Sequence, residues 1–353
     1  MKNKGKTVFV GVSGGVDSSV SLAILKDAGY NVVGVFIRTW TPEFIECTWR
    51  DERRDAMRVC AHLDVPFLEC DAEDAYKNGV ADYMIEEYKK GRVPNPDVMC
   101  NREVKFGVFW QFAKAYGADF IATGHYAQTD NKIMERGIDV SKDQSYFLWT
   151  LTEEDLSHTL FPIGHMQKSE VRKLAEKYKL PTATKKDSQG VCFLGPLDMK
   201  DFLKHYIESK SGNVENTNGE IIGIHDGVLF YTIGERHGFT ITKKGIEDTP
   251  YYIVAKDIAR NVLIVSHDKY EYKKESNEIT LQRVVVRGEI ELHKSYTAQV
   301  RYHGELLAVT ITSYNKQNNT LTVSFQNSDP TASSGQSVVI YDGKICLAGG
   351  VIV

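Results

Sequence analysis

The chain has 353 residues, a formal net charge of −4, 42% hydrophobic and 25% charged residues. That length predicts two or three domains with ample core, and the near-neutral charge excludes a global polyanion-binding field, so any nucleic-acid contact must use local basic patches. No run of 18 apolar residues exists to span a membrane, and the basic start Met1–Lys6 lacks the apolar stretch of a signal peptide.

In chain order, Thr7–Val12 reads as a strand, Ser18–Ala28 as a helix ending at Gly29, and Asn31–Thr39 as a second strand. Glu52–Leu63 (helix), Pro66–Cys70 (strand), Ala72–Lys90 (helix), Val104–Tyr116 (helix) and Asp119–Thr123 (strand) follow. Apolar strands between amphipathic helices predict a parallel sheet with helices on both faces. Ligands on such sheets bind at the carboxyl ends of the strands, here Gly11–Ser18, Phe36-Ile37 and Gly124-His125-Tyr126. Helices continue through Lys168–Tyr178 and Asp198–Ser209. From Gly212 short strands alternate with the turns Asn218-Gly219, Asp226-Gly227 and Arg236-His237-Gly238. From about Glu278 nearly everything alternates, with Asp342-Gly343 as a hairpin turn, which predicts a small β-barrel. The expected division is 1–205, an α/β domain; 206–270, a small β-rich domain; and 271–353, the barrel.

The first chemical signal is Gly11-Val12-Ser13-Gly14-Gly15-Val16-Asp17-Ser18-Ser19, set between a strand and a helix. Adjacent glycines and three hydroxyls at such a junction aim backbone N–H groups at an anion. The Lys of the common G-x-x-x-x-G-K-[ST] loop is absent, as is G-x-G-x-x-G. S-G-G-x-D-S resembles the PP-loop of ATP pyrophosphatases.

Six cysteines stand at 47, 60, 70, 100, 192 and 346, without a C-x-x-C pair, so no metal site is assigned and a reducing cytosol is expected. Cys60 falls on the apolar stripe Ala56, Val59, Cys60, Leu63. Cys100 lies in Asn95-Pro96-Asp97-Val98-Met99-Cys100-Asn101. Two prolines disfavour helix before Asp97 and Asn101 can cap the helix that follows, which would place Cys100 at a helix N-terminus favouring thiolate, with Asp97 near enough to move protons. A Pro-bounded loop with a half-buried Cys is the alternative. Cys192 lies in Lys185-Lys186-Asp187-Ser188-Gln189-Gly190-Val191-Cys192-Phe193-Leu194-Gly195, where the two lysines would favour a thiolate or persulfide; a loop Cys of no consequence is the alternative. In Lys142-Asp143-Gln144, Lys142 can meet phosphate and Gln144 a base edge, or the triplet is a helix cap.

These segments, with Ala122-Thr123-Gly124-His125-Tyr126-Ala127, Tyr231–Gly238, Gly335-Gln336-Ser337 and Cys346–Gly350, occur in one order over nearly the whole chain and resemble the tRNA-specific 2-thiouridylases, which 2-thiolate uridine 34. The resemblance implies that Gly11, Val12, Ser13, Gly14, Gly15, Val16, Asp17 and Ser18 hold ATP, with Ile37 and Gly124 lining the adenosine site. It implies that Cys192 carries a persulfide, that Cys100 is its partner in a transient disulfide, and that Asp97 assists proton transfer. Asn95, Pro96 and Asp97 would surround the target base, while Lys142, Asp143, Gln144, Arg301 and Tyr302 would touch tRNA. ATP with Mg²⁺, the tRNAs for Lys, Glu and Gln, and a cysteine desulfurase acting directly or through relay proteins complete the implied set. Glu235 and His237 depart from the Gln and Lys common in that segment. The alternatives are a PP-loop enzyme that adenylates a carbonyl and transfers nitrogen, for which no ammonia source is legible, and an RNA-binding module without catalysis.

Overall fold

The computed structural model describes residues 5–45, 49–130, 132–187, 198–243, 249–269, 271, 277–326 and 332–353. Cys47, Cys192 and the rest of Ser188–Gly195 lie outside the described residues.

The α/β part opens with β1 (Thr7–Gly11), α1 (Val16–Asp27), β2 (Asn31–Arg38), α2 (Trp49–His62) and β3 (Phe67–Asp71). A long helix follows in three stretches, α3 (Glu73–Tyr76), a π-helical Lys77–Asp82 and α4 (Tyr83–Lys89). A second runs through α5 (Pro96–Cys100), a π-helical Asn101–Val108 and α6 (Phe109–Ala115). Next come β4 (Phe120–Ala122), the hairpin β5 (Ala127–Thr129) and β6 (Met134–Arg136), α7 (Glu153–Ser157), β7 (Thr159–Leu160) and α8 (Lys168–Lys177). The parallel sheet has the order β3-β2-β1-β4-β7. The chain direction across the sheet therefore switches between β1 and β4, the place where α/β sheets open a ligand crevice. The apolar runs are buried as expected for strands covered on both faces: Val8, Val10, Val35 and Ile121 are fully inside. Cys60 is core, and burial pushes its thiol up to about 11.

After α9 (Met199–Lys204), a five-stranded sheet is built from β8 (Gly212–Asn216), β9 (Ile221–His225), β10 (Thr240–Ile241), β11 (Tyr252–Asp257) and β12 (Val262–Ser266). The last part is a barrel of six strands, β13 (Glu278–Val286), β14 (Ser295–Gln299), β15 (Leu307–Asn315), β16 (Thr320–Phe325), β17 (Ser337–Asp342) and β18 (Ile345–Ile352). Pairing of β13 with both β16 and β18 closes the six strands into a barrel. Gly343, at φ +60, makes the β17–β18 turn as its sequence suggests.

Two features were not expected from sequence. The β5–β6 hairpin leaves the α/β part and extends the barrel sheet through Glu135 opposite Ile345. The buried Arg287 of the barrel donates to the carbonyls of Trp149 (2.8 Å), Leu151 (2.6 Å) and Cys346 (2.9 Å). Together with Trp149 Nε1 donating to Ser337 Oγ at 3.0 Å, this fastens residues 149–151 to the barrel.

Candidate active site

The Gly11–Ser18 loop sits at the carboxyl end of β1, and α1 begins inside it at Val16, two residues earlier than the sequence suggests. Gly15 is the N-cap and offers no side-chain acceptor, so the first N–H groups of a 12-residue helix stay open for an anion. The hydroxyls shape the loop. Ser18 Oγ accepts from Ser13 N at 3.2 Å, and Ser19 Oγ donates to Gly15 O at 2.6 Å. Gly14 has φ +71, and a Cβ there would stand 2.5 Å from Glu52 O of α2. Gly124, at the end of β4, packs its Cα face on α1 so tightly that a Cβ would come within 2.7 Å of Ser18 N. Ile37, at the end of β2, has its Cδ1 3.6 Å from where a Gly11 Cβ would be. Gly11, Ile37 and Gly124 thus line one edge, across the carboxyl ends of three neighbouring strands.

Asp17 points along the loop rather than into the helix. Its carboxylate accepts from Tyr126 Oη at 2.9 Å and from Lys168 Nζ at 2.8 Å. Burial and Asp17 push the Tyr126 phenol far up, so it stays a donor. His125 is buried with Nδ1 2.8 Å from Thr123 Oγ1; burial, then Lys105, hold its imidazole well below the ordinary value, so it is neutral.

The Asn95–Asn101 segment differs from its expected local structure. Asn95, not Asn101, caps the helix, its Oδ1 accepting from Asp97 N and Val98 N at 3.1 Å each. Pro96 occupies the first helical turn, where its missing N–H costs nothing. Cys100 therefore sits one turn inside a helix that continues past it, and it does not occupy an N-terminus. Its side chain is buried, with Tyr76, Met84 and Phe202 in the same apolar cluster, against which Ile37 also packs. Asp97 is also enclosed: burial raises its carboxyl above the ordinary value, and Lys105 partly opposes this. Asn101 donates instead to Phe147 O at 3.2 Å, and its Oδ1 is buried without a partner.

Both β-rich parts hold the chain leading into Asn95. Lys256 Nζ donates to Gly91 O at 3.3 Å and to Tyr231 O at 2.8 Å; burial brings its ammonium down to about 8. From the barrel, Ser334 O accepts from Val93 N at 2.9 Å. Gly335, at φ +92, lies so close that a Cβ would be 2.8 Å from Val93 N. Tyr302 of the barrel stands over the same region, its ring 4.3 Å from that of Phe147. Burial, then Asp143 and Asp97, raise its phenol. Arg301, Tyr302, Asn95 and Asp97 therefore belong to one neighbourhood, joined by Tyr146, whose phenol burial holds high while Asn95 and Arg301 oppose.

The Lys142–Gln144 triplet is used largely inside the protein. Asp143 is buried and accepts from Arg136 Nε (2.7 Å), Gly137 N (2.9 Å) and Ser145 N (3.1 Å). Gln144 Oε1 accepts from Tyr126 N at 3.0 Å, tying the triplet to the end of β4. Lys142 pairs with Asp187 at 2.9 Å. Asp187 also meets Lys168 (2.9 Å) and Arg172 (2.6 Å), a convergence that no spacing in the sequence announces.

An ATP-type loop at a parallel-sheet switch point, an Asp–Cys helix with its thiol buried and two β-rich parts holding the chain that leads into it define a multidomain PP-loop enzyme. Family models match three successive stretches of the chain: one described as tRNA methyl transferase HUP domain matches residues 6–196, one described as tRNA methyl transferase PRC-barrel domain matches 200–267, and one described as aminomethyltransferase beta-barrel domain matches 276–352. The tRNA-specific 2-thiouridylase MnmA of Staphylococcus carnosus is 42% identical over 361 residues, covering 100% of this chain and 96% of its own. Its Listeria innocua counterpart is 42% identical with 98% and 94% covered, and that of Enterococcus faecalis 41% with 100% and 96%. The chain belongs to the tRNA-specific 2-thiouridylase family.

Proposed function

We propose that this chain carries out the reaction for which its family is named, the ATP-dependent 2-thiolation of a tRNA uridine, with the wobble uridine 34 of the tRNAs for Lys, Glu and Gln as target. The observation that carries the reading is the pairing of an open helix N-terminus at the carboxyl end of β1 with the Asp97–Cys100 helix, whose Cys100 belongs to the cluster that Ile37, at the carboxyl end of the neighbouring β2, packs against. Methyl transfer, which two of the family-model descriptions mention, needs neither an adenylating loop nor an Asp-x-x-Cys helix.

The loop Gly11–Ser18 would hold the ATP phosphates, and Ile37 and Gly124 the adenosine. The C2 oxygen of uridine attacks the α-phosphorus and pyrophosphate leaves, which turns a poor leaving group into AMP. Mg²⁺ would sit chiefly on the phosphates of ATP, with Asp17 the loop carboxylate nearest to hand, and would balance charge there. The outer sulfur of a Cys192 persulfide then bonds to C2 and AMP departs. Attack of the Cys100 thiolate on the inner sulfur breaks the S–S bond and leaves a Cys100–Cys192 disulfide, which a thiol reductant reopens. Asp97, kept protonated more readily by burial, moves a proton at the same centre.

Asn95, Pro96 and Asp97 would face the target base, which must leave the anticodon stack to reach them. Arg301 and Tyr302 would contact the tRNA from the barrel, and Lys142 from the α/β part; Asp143 and Gln144 act by holding that segment in place. The division 1–205, 206–270 and 271–353 assigns chemistry to the first part and tRNA contact to the last. A cysteine desulfurase, directly or through a relay, would supply the sulfur. Among the described residues no helix is long and apolar enough to cross a membrane. The expected location, by its tRNA substrate, is the cytoplasm.

The test is mass spectrometry of nucleosides from tRNA incubated with the protein, ATP and a sulfide source. Cys100→Ser and Cys192→Ser are expected to abolish 2-thiouridine while ATP binding persists. Thiolation by both variants overturns the assignment. Pyrophosphate exchange without tRNA would favour the nitrogen-transfer reading instead.

A further inference from the structure

Asp187 is a carboxylate held by three cations. Lys142 Nζ lies 2.9 Å from it, Lys168 Nζ 2.9 Å and Arg172 Nη2 2.6 Å. Burial alone would raise this carboxyl; the hydrogen bonds from Lys168 and Lys142 outweigh burial and hold it far below the carboxylate range. One carboxylate does not need three cations to be neutralised, whereas a phosphate, with more charge and more oxygens, uses all three. The cluster also abuts the anion loop. Lys168, only 14% exposed, spans from Asp187 to Asp17 of the Ser13–Ser18 loop, 2.8 Å away. Thr182 Oγ1 donates to Ser19 Oγ at 3.1 Å, laying the chain before Asp187 against α1. Arg172 is oriented by the carbonyls of Ala183 (3.1 Å) and Lys185 (2.6 Å), so its guanidinium is set in place independently of Asp187.

We propose that Lys142, Lys168 and Arg172 form a polyphosphate subsite next to the loop, and that Asp187 is its resident anion, which the β- and γ-phosphates of ATP, or the pyrophosphate product, displace. This rests on the ATP-splitting reading above and goes beyond it by naming three cations outside the loop and a competitor built into the chain. Lys142, Lys168 and Arg172 against Asp17 and Asp187 leave one net positive charge; with Asp187 withdrawn two remain to meet the incoming phosphates. Asp139, which accepts from Lys168 N at 2.9 Å, fixes the start of α8 and does not compete for the ammonium. Since Asp187 is five residues before Cys192 in the sequence, occupancy of the subsite by phosphate also releases the ion pairs that fasten the chain at residue 187.

The experiment is isothermal titration of the full chain with inorganic pyrophosphate, ATP, AMP and tRNA. Asp187→Asn removes the competing charge and is expected to tighten pyrophosphate and ATP about tenfold, with AMP unchanged. Lys142→Gln, whose ammonium meets only Asp187 among the pairs described, is expected to weaken pyrophosphate about tenfold, again without effect on AMP. The opposite signs separate the subsite from misfolding, which would weaken every ligand. ATP binding with pyrophosphate affinity unmoved in both variants overturns the subsite alone, as does a change confined to tRNA. A folded parent chain that binds no ATP overturns the subsite and the ATP-splitting reading together.

Discussion

Gly14→Ala tests whether the loop conformation is what binds ATP. At φ +71 an alanine pays about 1–2 kcal/mol for a left-handed backbone. Its Cβ would also stand 2.5 Å from Glu52 O and 3.0 Å from Asp55 Cβ, neither of which is the free end of a flexible side chain. Ordinary van der Waals contact begins at 3.4 Å, so loop and α2 must part by about 0.9 Å. Overpacking of that kind costs a further 1–3 kcal/mol, roughly. The expected loss of stability is therefore about 2–5 kcal/mol, read by urea unfolding. A displacement near 1 Å at a reacting centre costs about a hundredfold in rate, so thiolation should fall by that factor even where the variant is folded. Gly15→Ala is the comparison: its backbone is extended at φ −90, and a Cβ meets only Ser13 Oγ at 3.3 Å, a hydroxyl that can turn away. It should unfold within about 1 kcal/mol of the parent. A Gly14→Ala variant with parental stability and parental ATP affinity would refute the reasoning.

Asp97→Asn should be inactive yet more stable than the parent at neutral pH. Burial raises this carboxyl, so folding costs free energy as the group ionises; the cost is absent below the ordinary value of 3.8 and complete above the raised folded value. The stability gap between variant and parent should close as the pH falls through that window, and a variant less stable than the parent at pH 7 contradicts it. Arg287→Ala strands the buried carbonyls of Trp149, Leu151 and Cys346 and should cost about 3 kcal/mol in urea unfolding. Arg287→Lys should recover only part of this, because an ammonium cannot reproduce the planar fork. Lys256→Met, which removes the clamp on Gly91 O and Tyr231 O, should leave ATP binding intact and weaken tRNA thiolation, measured as kcat/KM for tRNA.

The parallel sheet, the ATP-type loop and the barrel were legible because each leaves a local trace: apolar runs ending at glycines, a Gly/Ser loop between strand and helix, and alternation broken by turn pairs. Strands β5, β6 and β7 were not, since two or three residues carry no periodicity and β6 is recruited by the barrel through Glu135. The two prolines before Asp97 point to a helix start at Asn101, whereas the helix starts at Asn95. At the first helical turn proline fits, and the Asn95 side chain satisfies the following N–H groups. The consequence is chemical: Cys100 is an enclosed thiol one turn into the helix rather than one at its exposed positive end. Asp143 could not be recognised as an internal acceptor, because two of its three donors, Arg136 and Gly137, come from the unseen hairpin and its exit. The meeting of Asp17, Lys142, Lys168, Arg172 and Asp187 joins segments 17 to 187, a purely tertiary fact with no sequence period to reveal it.

In the proposed reaction one site activates a tRNA uridine with ATP and passes it sulfur through two cysteines. Its most direct test is single-turnover incubation of tRNA with persulfide-loaded protein and ATP, followed by nucleoside mass spectrometry and non-reducing peptide mapping. One 2-thiouridine and one AMP are expected per persulfide consumed, with a Cys100–Cys192 disulfide left in the protein. Formation of 2-thiouridine by the Cys100→Ser and Cys192→Ser variants, or AMP release without it, would overturn this reaction scheme.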